Sequence, residues 1–405
     1  MKKLSVRDCD VQGKRVLTRV DFNVPLDSDK NITDDTRIVS ALDTIKNILN
    51  RGGRLILMSH LGRPRGRRDE DLSLLPVAYR LGELLENPLK FSNDCIGEEA
   101  KRKVDSLKDG EIVLLENLRF HPGEEANAPA FAKELAVLGD IFVNDAFGTA
   151  HRAHASTVGV TEQFNVRAAG FLMERELTAL TEALENPHRP FIAVLGGAKI
   201  KGKINLIKSL LKKVDVLLIG GGMMFTFFKA SGLEIGESIV DESYLDMCKE
   251  VLNKTRGGPS KLLLPVDTIV AEGIDDTLPK QEVSSADIPE NWVGVDIGPK
   301  TVNLFRQELA KAQTIFWNGP MGIFEKPGFA NGTKALAQAI ADATDRGAIS
   351  VVGGGDSVAA IQLMGIADKF THVSTGGGAS LELMEGRSLP GIDALCDVAE
   401  ASCDA

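Results

Sequence analysis

The chain has 405 residues, 43% of them hydrophobic and 26% charged, with a formal net charge of −10. That length predicts two or three domains rather than one core, and the acidic balance excludes the basic footprint of a nucleic-acid binder. No apolar run nears the roughly 18 residues of a membrane span, Met1-Lys2-Lys3 opens no signal-peptide apolar stretch, and five scattered cysteines without C-x-x-C spacing suit a reducing compartment, so the expected location is the cytoplasm.

Along the chain, short runs rich in Val, Ile and Leu end in polar or glycine residues, and an amphipathic stretch follows each. Strands are predicted from Val16, Arg54, Ile112 and Ile141, then from Phe191, Val216, Leu262, Thr314, Ile349 and His372. Near-continuous apolar strands alternating with helical patterns imply parallel sheets covered on both faces. These are more strands than one modest parallel sheet holds. The expected fold is therefore α/β, with two doubly wound parallel-sheet domains joined by a long helix and a hinge. The segment "FLMERELTALTEALENP" carries leucines near helical spacing and stops at Asn186-Pro187. It sets the expected boundaries: a first domain over 1–173, an interdomain helix over 174–187, a second domain over 188–390 and a tail over 391–405.

Ligands of parallel α/β sheets bind beyond the carboxyl ends of the strands. In the first half those ends offer Asp21 and Asn23, then His60 and Arg63, then Asn117 and Arg119, then Asn144-Asp145 leading to His151 and Arg152. In the second half they offer Gly196-Gly197, Gly220 to Gly222, Gly353 to Gly355 and Gly376 to Gly378. Guanidinium forks and closely approached backbone N–H groups are the two usual ways of holding phosphate. One domain of each kind reads as a phosphoryl donor site paired with an acceptor site. Each feature also has a plain structural reading: glycines serve tight turns, and "RPRGRR" from Arg63 makes a solvated basic loop, so only Arg63 is taken from it. His151 and His154 beside Asp145 lack a clear third ligand for a metal, and Arg152 is taken there as an anion ligand.

"GGAKIKGK" approaches a phosphate-binding P-loop, but Ile204 stands where a magnesium-binding Ser or Thr is required. Lys199 and Lys203, four apart, are expected to project from one helix start towards a phosphate chain. In "GGGDS", Asp356 is either a helix cap or a magnesium ligand. No G-x-G-x-x-G occurs, which weakens a dehydrogenase reading.

With these residues in view, the sequence resembles the phosphoglycerate kinases of bacterial type from about Leu4 to beyond Gly386. The resemblance is carried by "TRVDFNVPL", "SHLGRP", "LLENLRFHPGEE", "VNDAFGTAHRAHAS", "LGGAKI", "NGPMGIFE", "GGGDS" and "STGGGASLELMEG", in order. It implies reversible transfer between 1,3-bisphosphoglycerate with ADP and 3-phosphoglycerate with ATP, assisted by Mg2+, in glycolysis. It places the triose on Asp21, Phe22, Asn23, Arg37, His60, Leu61, Gly62, Arg63, Arg119 and Arg152. It places the nucleotide on Lys203, Gly322, Glu325, Gly354, Gly355, Asp356 and Ser357, with Glu325 at the ribose and Asp356 at magnesium. Arg37, Lys199, Gly376 and Gly377 would meet the transferring group, Gly378 adjoining. The implied enzyme is a hinge-bending monomer whose tail folds back on the first domain, with no nucleic-acid or membrane partner. Lys201, Gly202, Met224 and Phe228 depart from the family's usual residues, the last two around the expected purine slot.

The acceptor of such a transfer is already ionised at neutral pH, so alignment and preorganised positive charge are needed rather than a general base. Two rivals are a hinged binding protein without catalysis and a nicotinamide dehydrogenase. A coupled assay with 3-phosphoglycerate and MgATP separates all three.

Overall fold

The computed structural model describes residues 2–86 and 88–398. Strands β1 (Arg15–Arg19), β2 (Arg54–Met58), β3 (Leu89–Ser92), β4 (Ile112–Leu115), β5 (Ile141–Asn144) and β6 (Arg167–Ala169) form one parallel sheet in the order β3-β4-β2-β1-β5-β6. Further along come β7 (Phe191–Leu195), β8 (Val216–Ile219), β9 (Lys261–Leu263), β10 (Asp267–Ala271), β11 (Lys280–Ser284), β12 (Val293–Ile297), β13 (Thr314–Asn318), β14 (Ile349–Gly353) and β15 (His372–Val373). Of these, a second parallel sheet runs β15-β14-β13-β7-β8-β9, and β11-β10-β12 make a small antiparallel sheet. Every residue of β4, β5, β7, β8 and β13 is buried, which is why these read as unbroken apolar runs.

Helices fill the crossovers. Helix Thr36–Asn50 buries Ile38, Ala41, Ile45 and Ile48, the three- and four-residue spacing of one helical face. Those side chains join Val16, Leu55, Leu57 and Leu114 in a core cluster of the first sheet.

The chain divides into two compact units. The first takes the described residues up to Leu177 and from Ser388 onward; the second spans Thr178–Arg387. The division falls inside helix Phe171–Glu185. After Ser388 the chain bonds to the first unit: Gly391 N–H donates to Ala150 O (2.8 Å), Leu4 N–H to Cys396 O (2.8 Å) and Lys3 Nζ to Leu395 O (3.0 Å). Residues 399–405 of the expected tail lie outside the described residues.

Sequence reading overlooked β3, β6 and the β10–β12 sheet. The "LKFS" of β3 and "RAA" of β6 are short and mixed, and β11 (KQEVS) is almost wholly exposed, so none carries an apolar signature. The stretch from Leu262 is also not one strand. It breaks after Leu263, and β10 then turns into the antiparallel sheet.

In the first sheet adjacent crossovers run in opposite directions between β1 and β5 and again between β2 and β4; in the second sheet they do so between β7 and β13. Such switch points open a crevice at the carboxyl ends of the flanking strands.

Candidate active site

In the first unit the switch-point crevice is built from side chains. Arg37, in the first turn of helix Thr36–Asn50, donates from Nη1 to Asp21 Oδ2 at 2.9 Å, which fixes the guanidinium beside the end of β1. Asn23 accepts the Gly62 N–H at 2.9 Å and so ties the loop after β1 to the loop after β2. Arg119 is 3% exposed and donates from Nη1 to Gly62 O at 2.8 Å. Its Nη2 is enclosed without a protein partner, and its Nε lies 3.3 Å from Glu125 Oε1 in a geometry that makes an ion pair but no hydrogen bond. A buried, unsatisfied guanidinium edge is costly unless a ligand supplies the acceptor. Arg152 is half-buried, and Arg63 is exposed with no side-chain partner among the described residues. His60 is 3% exposed; burial first, then the cations of Arg19, Arg119, Arg37 and Arg152, push its pKa well below the ordinary imidazole value.

Phe22 and Leu61 shape this crevice from behind. Both side chains are buried, and their N–H groups are engaged by Ser59 Oγ (2.9 Å) and Asn117 Oδ1 (3.2 Å). Asn117 and Asn144, strand-end residues in the sequence, are structural too. Asn117 Nδ2 donates to Leu61 O (2.7 Å) and Leu72 O (2.9 Å), and Asn144 Nδ2 donates to Gly391 O (3.1 Å).

In the second unit the crevice is built from backbone. A cavity of about 310 Å³ is lined by Gly197, Gly222, Met224, Phe225, Pro320, Met321, Gly322, Glu325 and Asp356, among others. Gly319 has φ +96°, and a Cβ there would collide with the Gly196 carbonyl and Lys203 Nζ. Gly354 has φ +90° and stands before helix Gly355–Leu363; a Cβ on it would lie 2.6 Å from Asn318 Nδ2. Ser357 Oγ accepts the Gly319 N–H at 2.5 Å, which joins the loops after β13 and β14. Asp356 and Glu325 are exposed, and neither makes a side-chain hydrogen bond or ion pair among the described residues.

The two lysines do not share a helix face. Helix Ile204–Leu210 starts after Lys203, and Lys199 sits in the preceding loop, exposed. Lys203 instead turns inward and donates to Gly196 O at 2.6 Å, and burial lowers its pKa to about 8 against the opposing pull of Asp356. Glycines at 197 and 319 leave the room its ammonium occupies. Asp356 is not a helix cap: the cap position is Gly354, and Asp356 stands in the first turn. Phe228 does not line the cavity. It is buried edge-on behind Phe225, ring centroids 5.9 Å apart, and Phe225 forms the wall. The N–H of Gly376 is engaged by Ser374 Oγ at 3.1 Å, whereas Gly377 has φ +50° and precedes helix Gly378–Met384.

Sequence reading missed Arg19, Phe225 and Asp296. Arg19 had a signal, a charged residue closing an apolar strand; Phe225 and Asp296 had none that separates them from ordinary core positions.

Comparison with known proteins follows the same lines. A family model described as phosphoglycerate kinase matches residues 6–387. The chain belongs to the phosphoglycerate kinase family. It is 58% identical over 397 residues to a phosphoglycerate kinase of Pelodictyon phaeoclathratiforme, covering 98% of this chain and 100% of that one. To that of Chlorobium chlorochromatii it is 57% identical over 395 residues, with the same shares covered. The solved phosphoglycerate kinase of Coxiella burnetii superposes with a TM-score of 0.88 at 42% identity, over 97% of this chain and 98% of that one. That of Pyrococcus horikoshii does so with a TM-score of 0.84 at 34% identity, over the same shares. The protein is thus a phosphotransferase enzyme, a kinase of glycolysis, built as two parallel-sheet α/β domains. No helix among its described residues is long and apolar enough to cross a membrane.

Proposed function

We propose that the enzyme transfers a phosphoryl group reversibly from 1,3-bisphosphoglycerate to ADP, giving 3-phosphoglycerate and ATP. The observation that carries this reading is the pair of switch-point crevices of opposite construction, guanidinium forks in one unit and glycine backbone around an apolar cavity in the other. Forks suit a small, doubly anionic triose; an apolar slot rimmed by close backbone suits a purine with its phosphate chain.

On this reading the triose lies against Asp21, Asn23, Arg37, His60, Arg63, Arg119 and Arg152, with Phe22, Leu61 and Gly62 holding the loops. The purine lies between Met224, Phe225 and Gly322, the ribose reaches Glu325, and the phosphates run past Lys203 to the Gly354–Ser357 turn. Asp356 fits a magnesium ion, being an unpartnered carboxylate at the cavity, and the ion would add positive charge to the phosphate oxygens. Arg37 from one unit, with Lys199 and the Gly376–Gly378 amides from the other, would stabilise charge on the transferring group. No base is required, because the acceptor oxygen is already ionised. Division of these cations between units makes closure on a ternary complex, hinged near 174–187, part of the proposal. One chain carries both sites, so a monomer suffices. The four described cysteines are free and buried, which suits the cytoplasm.

The test is a coupled assay of the folded protein with 3-phosphoglycerate and MgATP, where turnover is expected and its absence would overturn the reading. Small-angle scattering should give the smallest radius of gyration only with both ligands present.

A further inference from the structure

Arg19, at the end of β1, is fully enclosed by protein. Its Nε donates to Ser156 Oγ at 2.9 Å, its Nη1 to the Val20 carbonyl, and its Nη2 lies 3.1 Å from His60 Nδ1. The Ser156 hydroxyl donates to Glu124 Oε1 at 2.6 Å, and the Ser156 N–H to Oε2 at 3.0 Å. Glu124 is also fully buried, so the enclosed cation has an enclosed anion joined to it through one hydroxyl. Removing one charge of such a set strands the other.

A guanidinium has donors only. A ring nitrogen 3.1 Å from Arg19 Nη2 must therefore be the acceptor, with no proton of its own. The competing influence on Nδ1 is Asp21, a carboxylate that would favour a proton there. Its Oδ1 is 3.9 Å away, beyond hydrogen-bond reach, and its Oδ2 is held by Arg37. The other charges around the ring are the cations of Arg119 and Arg152, which oppose an imidazolium as Arg19 and Arg37 do.

We propose that Arg19 is a positioning residue for His60, fixing its imidazole as the neutral tautomer with the proton on Nε2, so that the ring meets an anionic triose as an uncharged hydrogen-bond donor at every working pH. The role of His60 at the triose rests on the function proposed above; the tautomer does not. Triose affinity then carries no titration from this histidine, although an unconstrained imidazole changes charge between about pH 5 and 8.

The first test needs no substrate. Nitrogen-15 correlation spectra of the free wild-type enzyme, with His60 assigned by its loss in His60→Gln, should show the Nε2–H tautomer unchanged from about pH 8 to 5. An Nδ1–H tautomer or an imidazolium at neutral pH would overturn the proposal, and this holds even if no Arg19 variant folds. The second test is Arg19→Met combined with Glu124→Gln, which removes both enclosed charges together. His60 should now titrate within that range, and a spectrum that stays fixed would show that Arg19 is not what holds it. The KM for 3-phosphoglycerate should then fall by about fivefold on acidification, relative to wild type at the same pH, as an imidazolium replaces the neutral donor. Dividing by wild type cancels the substrate's own phosphate titration. A ring that titrates while KM does not follow would leave the tautomer standing and remove His60 from the triose site.

Discussion

The two units have nearly the same scaffold and hold anions by different means. Each has a six-stranded parallel sheet with a switch point beside its first strand, β1 or β7. At the first, arginines are locked by carboxylates and carbonyls at the strand ends: Arg37, on the following helix, by Asp21, and Arg119 by the Gly62 carbonyl. At the second, they present glycines whose missing side chains admit a lysine and leave a cavity. A fork carries its own charge and geometry, so its site is specific but depends on single residues. A backbone cradle spreads the interaction over several N–H groups, so no single one dominates. The difference predicts that substitutions in the first unit act abruptly and those in the second by degrees.

Arg37→Ala should show the abrupt behaviour most clearly. Loss of one preorganised donor at the transferring group is expected to lower turnover by about a hundredfold to a thousandfold, with a smaller effect on KM. Arg37→Lys should recover only part of this, because an ammonium cannot reproduce the planar fork held by Asp21. Steady-state kinetics decide it: turnover within a factor of two of wild type in either variant would place Arg37 outside the transition state.

Buried carboxylates give a second contrast with the scaffold itself. Burial raises Asp145, after β5, to about 6 and Asp296, in β12, to about 7. In both cases the folded form keeps a proton that the unfolded chain, titrating near 4, has lost. Stability contributed by that proton is present below about pH 4 and is lost as pH rises through about 6 or 7. His154, half-buried and lowered to about 4, contributes in the opposite direction, so each aspartate is read as wild type minus its Asn variant at each pH. That difference in denaturant-derived stability should fall between pH 4 and 8 by about 2–3 kcal/mol for Asp145 and by about 4 kcal/mol for Asp296. A flat difference would mean that both are ionised throughout.

Much of this molecule was legible because parallel strands buried on both faces must be apolar, and because their last residues must be whatever the site needs. The predicted strands from Val16 to His372 lie where strands occur, and reading their ends separated side-chain from backbone chemistry. What stayed hidden depends on direction in space. Lys199 and Lys203 look equivalent four residues apart, yet the helix starts after both and only Lys203 turns inward. Asn117 and Asn144 look like ligands at strand ends, but their amides tie loops together. Arg37 was named only by family resemblance, since it sits on the helix after a loop and reaches the crevice through Asp21.

Lys203 tests the second unit where charge and backbone meet. Lys203→Ala should weaken MgATP binding by about ten- to hundredfold and leave 3-phosphoglycerate binding unchanged. Because burial holds its ammonium near 8, nucleotide affinity of the wild type should also decline as pH rises past that value. Calorimetric titration of each ligand checks both statements, and equal weakening of the two ligands would mean that the sites are misassigned between units.

The smallest effect is the most discriminating for the glycines, because it separates a turn from a cradle. Gly354 cannot report on this, since its φ of +90° and the nearby Asn318 make any side chain disruptive on structural grounds alone. Gly355 can. It opens helix Gly355–Leu363 without a left-handed φ, and a Cβ built on it meets nothing within 4 Å. If this glycine serves only the fold, Gly355→Ala is neutral or stabilising by up to about 1 kcal/mol, the ordinary gain of Ala over Gly in a helix. If the phosphate chain lies against this helix start, the added methyl occupies space that phosphate oxygens approach. Nucleotide affinity should then fall by several-fold, about three- to tenfold, without loss of thermal stability and without change in 3-phosphoglycerate binding. Thermal unfolding and nucleotide titration on the same sample read the two possibilities separately. Unchanged nucleotide affinity in a folded Gly355→Ala would leave the Gly353–Gly355 cluster as a turn and move the phosphates elsewhere along the cavity.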